Sequence, residues 1–460
     1  MVRLFSHWFP SSMVLQFVLD AVLLFVSAIL VMVWLTTGQF PNLDLLAPAA
    51  LLFAVAMTII NAALGLYQRN ASRTLRETTA RSAVSLLLSI PVAYWAFRLL
   101  PWDEVPHEAL KLAALLSLTG LVAVRGFATH SGSKPMMVRR MIVLGTGFEA
   151  AAVEHSLQRF GVDVKIVGFY PVESVDATHV PADRILVGAL SLAETVRRHG
   201  VEEVVVAVRE RRGGVLPLRD LLDCKLSGVR VLDLSSYYER ALGQVRLDSL
   251  HASWLIFGEG FRQSLARTFV KRVVDIAAAA ALLVISAPVM LVTAALVAAE
   301  NGFPVLYRQE RIGLGGRIFR VIKFRSMRTD AEVDGTPRWA TSNDVRVTRV
   351  GRVIRKYRID ELPQLINVLK GDMSMIGPRP ERPFFVDQLA REIPFYGARH
   401  SVKPGITGWA QVRYQYGASV DDAVQKLQYD LYYVKNHTLF LDILVLFETI
   451  GVVLTAKGVH

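Results

Sequence analysis

The sequence contains a single cysteine, Cys224, in 460 residues. One cysteine cannot form an intramolecular disulfide, and its isolation excludes any metal site built from a cysteine cluster. Recognition helices, aromatic RNA-binding strands and zinc-finger spacings are also absent from the sequence. We therefore expect no nucleic acid partner, even though the chain carries a formal charge of +12 at pH 7.

Charged residues make up only 20% of the chain, against 52% for hydrophobic residues. This balance is too apolar for an ordinary soluble enzyme, so the positive charge suits a lipid surface. Four apolar segments each have about the 20 residues that a spanning helix needs. They cover residues 13–36, 47–67, 82–100 and 108–128. The first run is long and others follow it, which is not the pattern of a cleavable signal peptide.

The connections between these segments differ in charge. The second connection carries four arginines, whereas the first and third carry acidic residues and no lysine or arginine. Because positively charged connections stay in the cytoplasm, both ends of the bundle are expected on that side. We predict a four-helix transmembrane bundle over residues 1–130.

Residues 138–245 have the alternating strands and helices of a Rossmann-like domain with a parallel sheet. The segment 145–147, Gly-Thr-Gly, begins a dinucleotide-binding fingerprint, but Ala150 stands at the third glycine position. The second strand ends at Tyr170 and Pro171 without an acidic residue for a ribose hydroxyl. We favour a regulatory or assembly role for this domain, with NAD binding as the alternative.

A fifth apolar run extends from Ile276 to Ala299. Its length of about 24 residues, or about 36 Å as a helix, is enough to cross a bilayer. One more crossing would export the basic remainder of the chain, and basic residues flank the run on both sides. Pro288 at the midpoint, behind Ser286, permits a sharp bend. We predict that residues 271–300 enter the membrane, break at Ser286 and Pro288 and return to the same face; a kinked span is the alternative.

The remaining sequence predicts a β-hairpin and one amphipathic helix. The hairpin extends from Pro304 to Phe324 around a glycine-rich turn. Asp360 stands where the helix should begin, Glu361 follows it, and Gly371 comes after its last turn. Two carboxylates at the positive end of a helix dipole should stay ionised. Among arginines they suit phosphoryl transfer by a carboxylate nucleophile; a plain capping aspartate is the alternative.

Two later features are less specific. Pro404, Gly405 and Gly408 form a tight connection, of use where backbone approaches a ligand, although such residues more often serve a turn. The last apolar segment is interrupted by Asp442 and Glu448, and it is expected to lie in the membrane interface.

Five motifs then follow one another in order. They read KRVVDIAAAAALLVISAPVM, YRQERIG, KFRSM, RVIRKYRIDELPQLINVLKGDMSMIGPRP and KPGITGWAQV. Through them, residues 268–460 resemble the bacterial sugar transferases, the polyprenol-phosphate hexose-1-phosphate transferases. The preceding bundle and Rossmann-like domain match the large membrane form of that family, of the exopolysaccharide biosynthesis type. The resemblance implies a mainly helical catalytic domain over residues 266–460.

The resemblance also implies a reaction and a place. A sugar-1-phosphate would pass from a UDP-sugar to undecaprenyl phosphate, with release of UMP, at the cytoplasmic face of the bacterial inner membrane. The aspartate of the DELPQ motif, here Asp360, would form a phosphosugar-aspartyl intermediate, and Glu361 would bind Mg²⁺. A homodimer is a further expectation. Phosphate-binding roles are implied for Arg355 and Arg379, and supporting ones for Lys323 and Arg325. The family has adjacent Ser and Pro at the membrane-helix break, whereas Ala287 separates them here.

Two other functions are weighed against this one. A membrane-anchored NAD-dependent dehydratase or epimerase needs a tyrosine with lysine four positions on, and no tyrosine here has that neighbour. A membrane scaffold or sensor would not need the arginines clustered around Asp360 and Arg379. No residue decides which sugar is transferred.

Overall fold

The computed structural model describes most of the chain, in twelve stretches and four single residues. They are residues 2–4, 7–9, 11–35, 43–67, 84, 85, 87, 91, 139–160, 164–172, 177–186, 190–208, 216–247, 264–328, 346–414 and 419–455. The chain divides into two compact units. The first consists of Met1–Leu4 and Trp8–Leu242, and the second of Phe5–His7 and Gly243–His460.

The first unit begins with apolar helices. Two short strands, β1 (Val2–Leu4) and β2 (His7–Phe9), precede α1 (Ser11–Leu35) and α2 (Leu43–Ala63). Within α1, Met13–Leu30 is long and apolar enough to cross a membrane, whereas the apolar stretch of α2 is shorter. Leu15, Leu19 and Leu30 on α1 are more than half exposed, as side chains that face lipid would be. The predicted segments 82–100 and 108–128 lie outside the described residues, apart from four isolated positions.

The rest of the first unit is a parallel α/β sheet, as predicted. Its strands are β3 (Arg139–Leu144), β4 (Val164–Tyr170), β5 (Glu203–Val206) and β6 (Arg230–Asp233), in the order β4-β3-β5-β6. The helices are α3 (Phe148–Phe160), α4 (Leu192–His199), α5 (Leu218–Leu226) and α6 (Leu234–Leu242). Successive residues of β3 lie on opposite faces of the sheet, since Val143 packs in one hydrophobic cluster and Ile142 in another. Both faces of the sheet are therefore buried, which is typical of parallel sheets.

The partial glycine fingerprint serves packing at the end of β3. Gly145 has φ 118°, and a Cβ there would lie 2.7 Å from the carbonyl oxygen of Ala207. Only glycine permits this approach of two strand ends at that φ. The first glycine of the motif thus has a structural explanation that requires no dinucleotide.

The second unit begins with one long helix, α7 (Leu265–Asn301), of 37 residues. Pro288 lies inside α7 and does not end it, so the predicted break at Ser286 and Pro288 does not appear as an interruption of the helix. Ser286 makes only a local contact to the sulfur of Met290, at 3.5 Å. The middle of α7 is exposed and apolar: Val284 and Ile285 are each 74% exposed.

Both ends of α7 contact the same unit. Near its start, Arg272 donates to the carbonyl oxygen of Val368 at 2.6 Å. At its end, the carboxylate of Glu300 accepts hydrogen bonds from the backbone N–H groups of Arg349 and Val350, at 2.8 and 2.9 Å. The exposed apolar middle therefore lies between two anchored ends.

The remaining elements build the second unit around an aromatic core that includes Trp409, Tyr432 and Tyr433. The predicted hairpin is confirmed: β7 (Leu306–Ile312) and β8 (Ile318–Phe324) pair antiparallel. The helices are α8 (Arg349–Lys356), α9 (Gln364–Lys370), α10 (Pro383–Glu392), α11 (Trp409–Arg413), α12 (Val420–Asn436) and α13 (Leu439–Thr455). Two short strands, β9 (Ser374–Ile376) and β10 (Gly405–Thr407), pair parallel.

In the tight connection, the backbone at Gly405 and Gly408 packs directly against the backbone of Gly377. A Cβ on Gly405 would lie 2.1 Å from the backbone nitrogen of Gly377, and one on Gly408 would lie 2.1 Å from the carbonyl oxygen of Gly377. No side chain fits at these distances. The connection thereby fixes the segment that follows β9, which carries Arg379.

The two acidic residues of α13 are buried in polar contacts of the second unit. Asp442 accepts hydrogen bonds from Lys271 at 2.7 Å and from the hydroxyl of Tyr433 at 2.6 Å. Glu448 accepts from Arg413 at 2.6 Å. These contacts explain the charges within an apolar helix; the membrane-interface position of α13 stays a prediction.

Candidate active site

The α-helix expected to start at Asp360 starts at Gln364 instead. Asp360 and Glu361 belong to a 3₁₀ turn, Ile359–Glu361, and the residue before it, Arg358, has φ 58°. The left-handed region is costly for a residue with a side chain, so the surroundings hold this turn in place. The prediction that Asp360 caps the helix is wrong. The state of the two carboxylates depends on burial and neighbouring charges rather than on the helix dipole.

Glu361 is surrounded by three basic side chains. Its Oε1 accepts from Arg379 at 2.6 Å and from Lys323 at 3.1 Å, and it lies 3.6 Å from a guanidinium nitrogen of Arg358. Glu361 itself is 7% exposed. Lys323 comes from β8, whereas Arg379 follows β9. The fold thus brings two of the predicted phosphate-binding residues to one carboxylate oxygen.

The two adjacent carboxyl groups have opposite shifts in pKa. Burial, followed by the charge of Glu361, raises the pKa of Asp360 from 3.8 to about 6, against the effect of nearby basic groups that include Arg355. Burial alone would raise the pKa of Glu361, but Arg379, Lys323 and Arg358 hold it well below its ordinary value. A pair of titratable groups with divergent pKa values is typical of an active site.

The contacts of Arg325 place it at the end of α7 rather than at the carboxylates. Its guanidinium donates to the carbonyl oxygens of Asn301 and Gly302, at 2.8 and 2.5 Å. Arg325 is 7% exposed. It satisfies carbonyls that the helix leaves unpaired at its terminus. A phosphate-binding role for Arg325 stays a prediction that these contacts do not support.

Arg399 is a residue that the sequence did not single out. It donates to the carbonyl oxygen of Arg379 at 2.9 Å and to the hydroxyl of Tyr396 at 2.8 Å, and it pairs with Asp430 at 2.7 Å. It is 5% exposed. Arg399 therefore holds the backbone from which Arg379 reaches Glu361. Nothing in the sequence pattern distinguishes it from Arg391, which is exposed.

The carboxylate pair also bears on metal binding. No group of three or more His, Cys, Asp or Glu side chains is close enough to hold an ion in the part of the chain that the structure describes. Mg²⁺, however, is usually bound through one or two carboxylates together with substrate phosphates and water. Asp360 and Glu361 supply two adjacent carboxylates, so the residues present fit a Mg²⁺ ion that binds together with a diphosphate.

Comparisons with known proteins identify the family of the chain. Residues 266–456, which include every candidate residue above, match the family model described as bacterial sugar transferase. Over 374 residues the chain is 34% identical to the UDP-glucose:undecaprenyl-phosphate glucose-1-phosphate transferase of Xanthomonas campestris pv. campestris, covering 78% of this chain and 76% of that protein. The chain belongs to the bacterial sugar transferase family.

Other members of the family match shorter stretches. The UDP-N-acetylgalactosamine-undecaprenyl-phosphate N-acetylgalactosaminephosphotransferase of Aeromonas hydrophila is 49% identical over 240 residues, which cover 52% of this chain and 56% of that protein. A UDP-glucose:undecaprenyl-phosphate glucose-1-phosphate transferase of Caulobacter vibrioides is 41% identical over 192 residues, 41% of this chain and 72% of that protein. These names differ in the sugar, so they leave the sugar of the present transferase open.

Proposed function

We propose that this chain transfers a sugar-1-phosphate from a UDP-sugar to undecaprenyl phosphate, releases UMP, and thereby performs the first membrane step of exopolysaccharide synthesis. The observation that carries the proposal is the buried pair Asp360 and Glu361, whose pKa values diverge, beside Arg379 and Lys323. The relatives named above act on the same classes of donor and acceptor.

The proposed reaction has two displacements at one phosphorus atom. The carboxylate of Asp360 attacks the phosphorus that bears the sugar, a phosphorus–oxygen bond forms, and the bond to UMP breaks. A phosphate oxygen of undecaprenyl phosphate then attacks the same phosphorus and frees the carboxylate. Because the pKa of Asp360 is about 6, the group is mostly ionised at neutral pH. Arg379 and Lys323 neutralise the phosphate oxygens during both steps.

Two neighbouring groups support this chemistry. Glu361, together with Asp360, would hold Mg²⁺, which supplies further positive charge to the phosphates when it is bound. Arg355 lies near enough to Asp360 to lower its pKa, so in the proposal it contacts the phosphate that approaches the nucleophile.

We also propose a topology for the membrane part. α7 is re-entrant, the bundle of residues 1–130 contains four spans, and the active site faces the cytoplasm. The anchored ends and exposed middle of α7 support the first point.

Labelling of introduced cysteines tests the topology. In a Cys224→Ser background, Thr268→Cys and Phe303→Cys should both react with an impermeant maleimide from the cytoplasmic side. Reaction of the two positions from opposite sides would contradict the re-entrant helix and favour the kinked span.

The organisation of the whole chain is part of the proposal as well. Residues 1–130 form the bundle, 138–245 the Rossmann-like domain with a regulatory or assembly role, and 266–460 the catalytic domain, in a homodimer. The mass of the detergent-solubilised chain, measured by light scattering, should be twice that of one chain; a monomer would refute the dimer.

Release of UMP tests the reaction. The purified chain, Mg²⁺, undecaprenyl phosphate and each of UDP-glucose, UDP-galactose and their N-acetylated counterparts should yield UMP with at least one donor. Omission of the lipid phosphate should stop turnover after at most one equivalent. If no donor gives UMP while the protein remains folded, the proposed function is wrong.

A further inference from the structure

A cavity of about 370 Å³ lies on the second unit between β7 and the start of α10. Residues 307–310 line one wall, and Arg382, Pro383 and Phe384 line the other. Its volume is in the range of small-molecule sites. None of the roles assigned above uses these residues.

Each wall of the cavity is next to one of the two cations, Lys323 and Arg379, that contact Glu361. Tyr307 on β7 pairs with Lys323 on β8, and the Cα atoms of directly opposed residues are about 5 Å apart. Lys323 in turn contacts Glu361 at 3.1 Å. The other wall begins three residues after Arg379, which contacts the same carboxylate. A molecule whose phosphates lie between Lys323 and Arg379 can therefore extend its other end into this cavity.

The lining suits a flat, polar ring. Tyr307 and Phe384 present aromatic surface, being 43% and 54% exposed. Gln309 lies beside them, and its side-chain oxygen accepts from Arg311 at 2.6 Å. That bond orients the amide so that its nitrogen donates one hydrogen bond to the hydroxyl of Tyr307 at 3.4 Å and has its second N–H for a ligand on the aromatic side. An isoprenoid chain would instead require a continuous apolar lining, which the charged Arg308, Glu310 and Arg382 interrupt.

We propose that this cavity binds the uridine of the donor nucleotide. The base stacks on Tyr307 or Phe384, and the amide nitrogen of Gln309 donates to a ring carbonyl. Aromatic side chains bind nucleobases in this manner in many proteins. The inference rests on the proposed function, because it takes a UDP-sugar as the substrate.

Equilibrium binding of two probes to the full chain in detergent tests the cavity. UDP carries the base, whereas inorganic pyrophosphate carries only the phosphates. Whichever of Tyr307→Ala and Phe384→Ala removes the stacking ring should weaken UDP binding about tenfold, as the loss of one base–aromatic stack does, and leave pyrophosphate binding unchanged. Tyr307→Phe, which keeps the ring, should stay within about twofold of the wild type. Ile318→Ala serves as the matched control, since Ile318 is 59% exposed on the same hairpin but does not line the cavity.

Three results would overturn the inference. Unchanged UDP affinity in both alanine variants would show that the cavity does not hold the base. An equal loss for UDP and pyrophosphate would indicate distortion of the phosphate site instead. A higher KM for undecaprenyl phosphate with unchanged UDP affinity would assign the cavity to the acceptor. In each case, continued UMP release by the wild type leaves the proposed function intact; a wild type that neither binds UDP nor releases UMP refutes both.

Discussion

Two of the buried glutamates, one in each unit, have nearly the same kind of surroundings. Glu203 is 4% exposed and Glu361 is 7% exposed. In both cases one carboxylate oxygen faces three basic side chains. For Glu203 they are Arg139 at 2.8 Å, Arg230 at 2.6 Å and Arg240 at 3.5 Å. For Glu361 they are Arg379 at 2.6 Å, Lys323 at 3.1 Å and Arg358 at 3.6 Å.

The difference lies in what stands beside each glutamate. The partners of Glu203 include the first residues of β3 and β6, and Glu203 itself is the first residue of β5. That cluster joins the N-terminal ends of three neighbouring strands, β3, β5 and β6. Glu361 instead adjoins a second buried carboxyl group, Asp360, whose pKa is raised to about 6. Three cations around a buried glutamate therefore indicate only a structural role by themselves, and the second carboxyl group with its raised pKa is what indicates chemistry.

The largest expected effect is on turnover, and it distinguishes Asp360 from the residues near Glu203. Asp360→Asn removes the nucleophile, so UMP release should fall by at least about 10³-fold. Glu203→Gln should leave kcat within about twofold of the wild type when folded protein is compared, because no substrate reaches that cluster. A large loss of kcat on Glu203→Gln would remove the distinction between the two sites.

The next comparison exchanges each glutamate for its amide and measures stability. Glu203→Gln removes the carboxylate that pairs with Arg240, whose side chain is 6% exposed, and a broken buried ion pair costs about 3–5 kcal/mol. Its thermal unfolding temperature should drop clearly. Glu361→Gln should lower kcat about 100-fold with a smaller drop in unfolding temperature, because Lys323 and Arg379 are more exposed than Arg240. The reverse order of the two unfolding temperatures would contradict this account.

A moderate effect is expected where Arg399 supports Arg379. Arg399→Lys keeps the charge but loses the fork of hydrogen bonds to the carbonyl of Arg379 and to Tyr396. The KM for the UDP-sugar should rise about five- to tenfold, with little change in kcat once donor is saturating. Arg391→Lys, at an exposed position, is the control. Equal changes in kcat and KM that track a loss of folded protein would show a purely structural role.

A further expected effect is a gain in stability on removing the nucleophile. Because the pKa of Asp360 is higher in the folded chain than its ordinary 3.8, protonation stabilises the fold below about pH 4, and this stabilisation is lost as the pH rises through about 6. The ionised group therefore costs up to about 3 kcal/mol at neutral pH. Asp360→Asn should unfold at a higher temperature than the wild type at pH 8, with the difference vanishing towards pH 4.

A pH-independent difference, or none at pH 8, would contradict the raised pKa. The same titration sets the expected pH dependence of the reaction. Turnover by the wild type should fall as the pH drops through about 6, since the protonated carboxyl group cannot attack.

The sequence predicted the regular elements because their patterns are local. The apolar runs at β3 and β5 and the alternating hairpin each extend over several residues, and the structure confirms them. The start of the helix at Asp360 was misjudged by four residues. A proline at 363 favours a first helical turn, but the left-handed backbone of Arg358, just before the 3₁₀ turn, has no signal in the sequence.

Long-range contacts explain the other differences. Arg325 follows the last residue of β8, so the alternation that directs Lys323 to Glu361 no longer applies to it. Arg399 acts on Arg379 and pairs with Asp430, which lie 20 residues before and 31 residues after it in the chain. No spacing rule connects such residues, and only the folded chain shows which basic side chains share a carboxylate.

The central claim is that Asp360 carries the phosphosugar between donor and acceptor. The most direct measurement incubates the full chain with Mg²⁺ and a UDP-sugar in the absence of undecaprenyl phosphate, followed by acid quenching, proteolysis and mass spectrometry. The account predicts about one equivalent of UMP per active site and a phosphosugar adduct on the peptide that contains Asp360, absent in Asp360→Asn. Formation of UMP only after the lipid phosphate is added, with no adduct on that peptide, would contradict it.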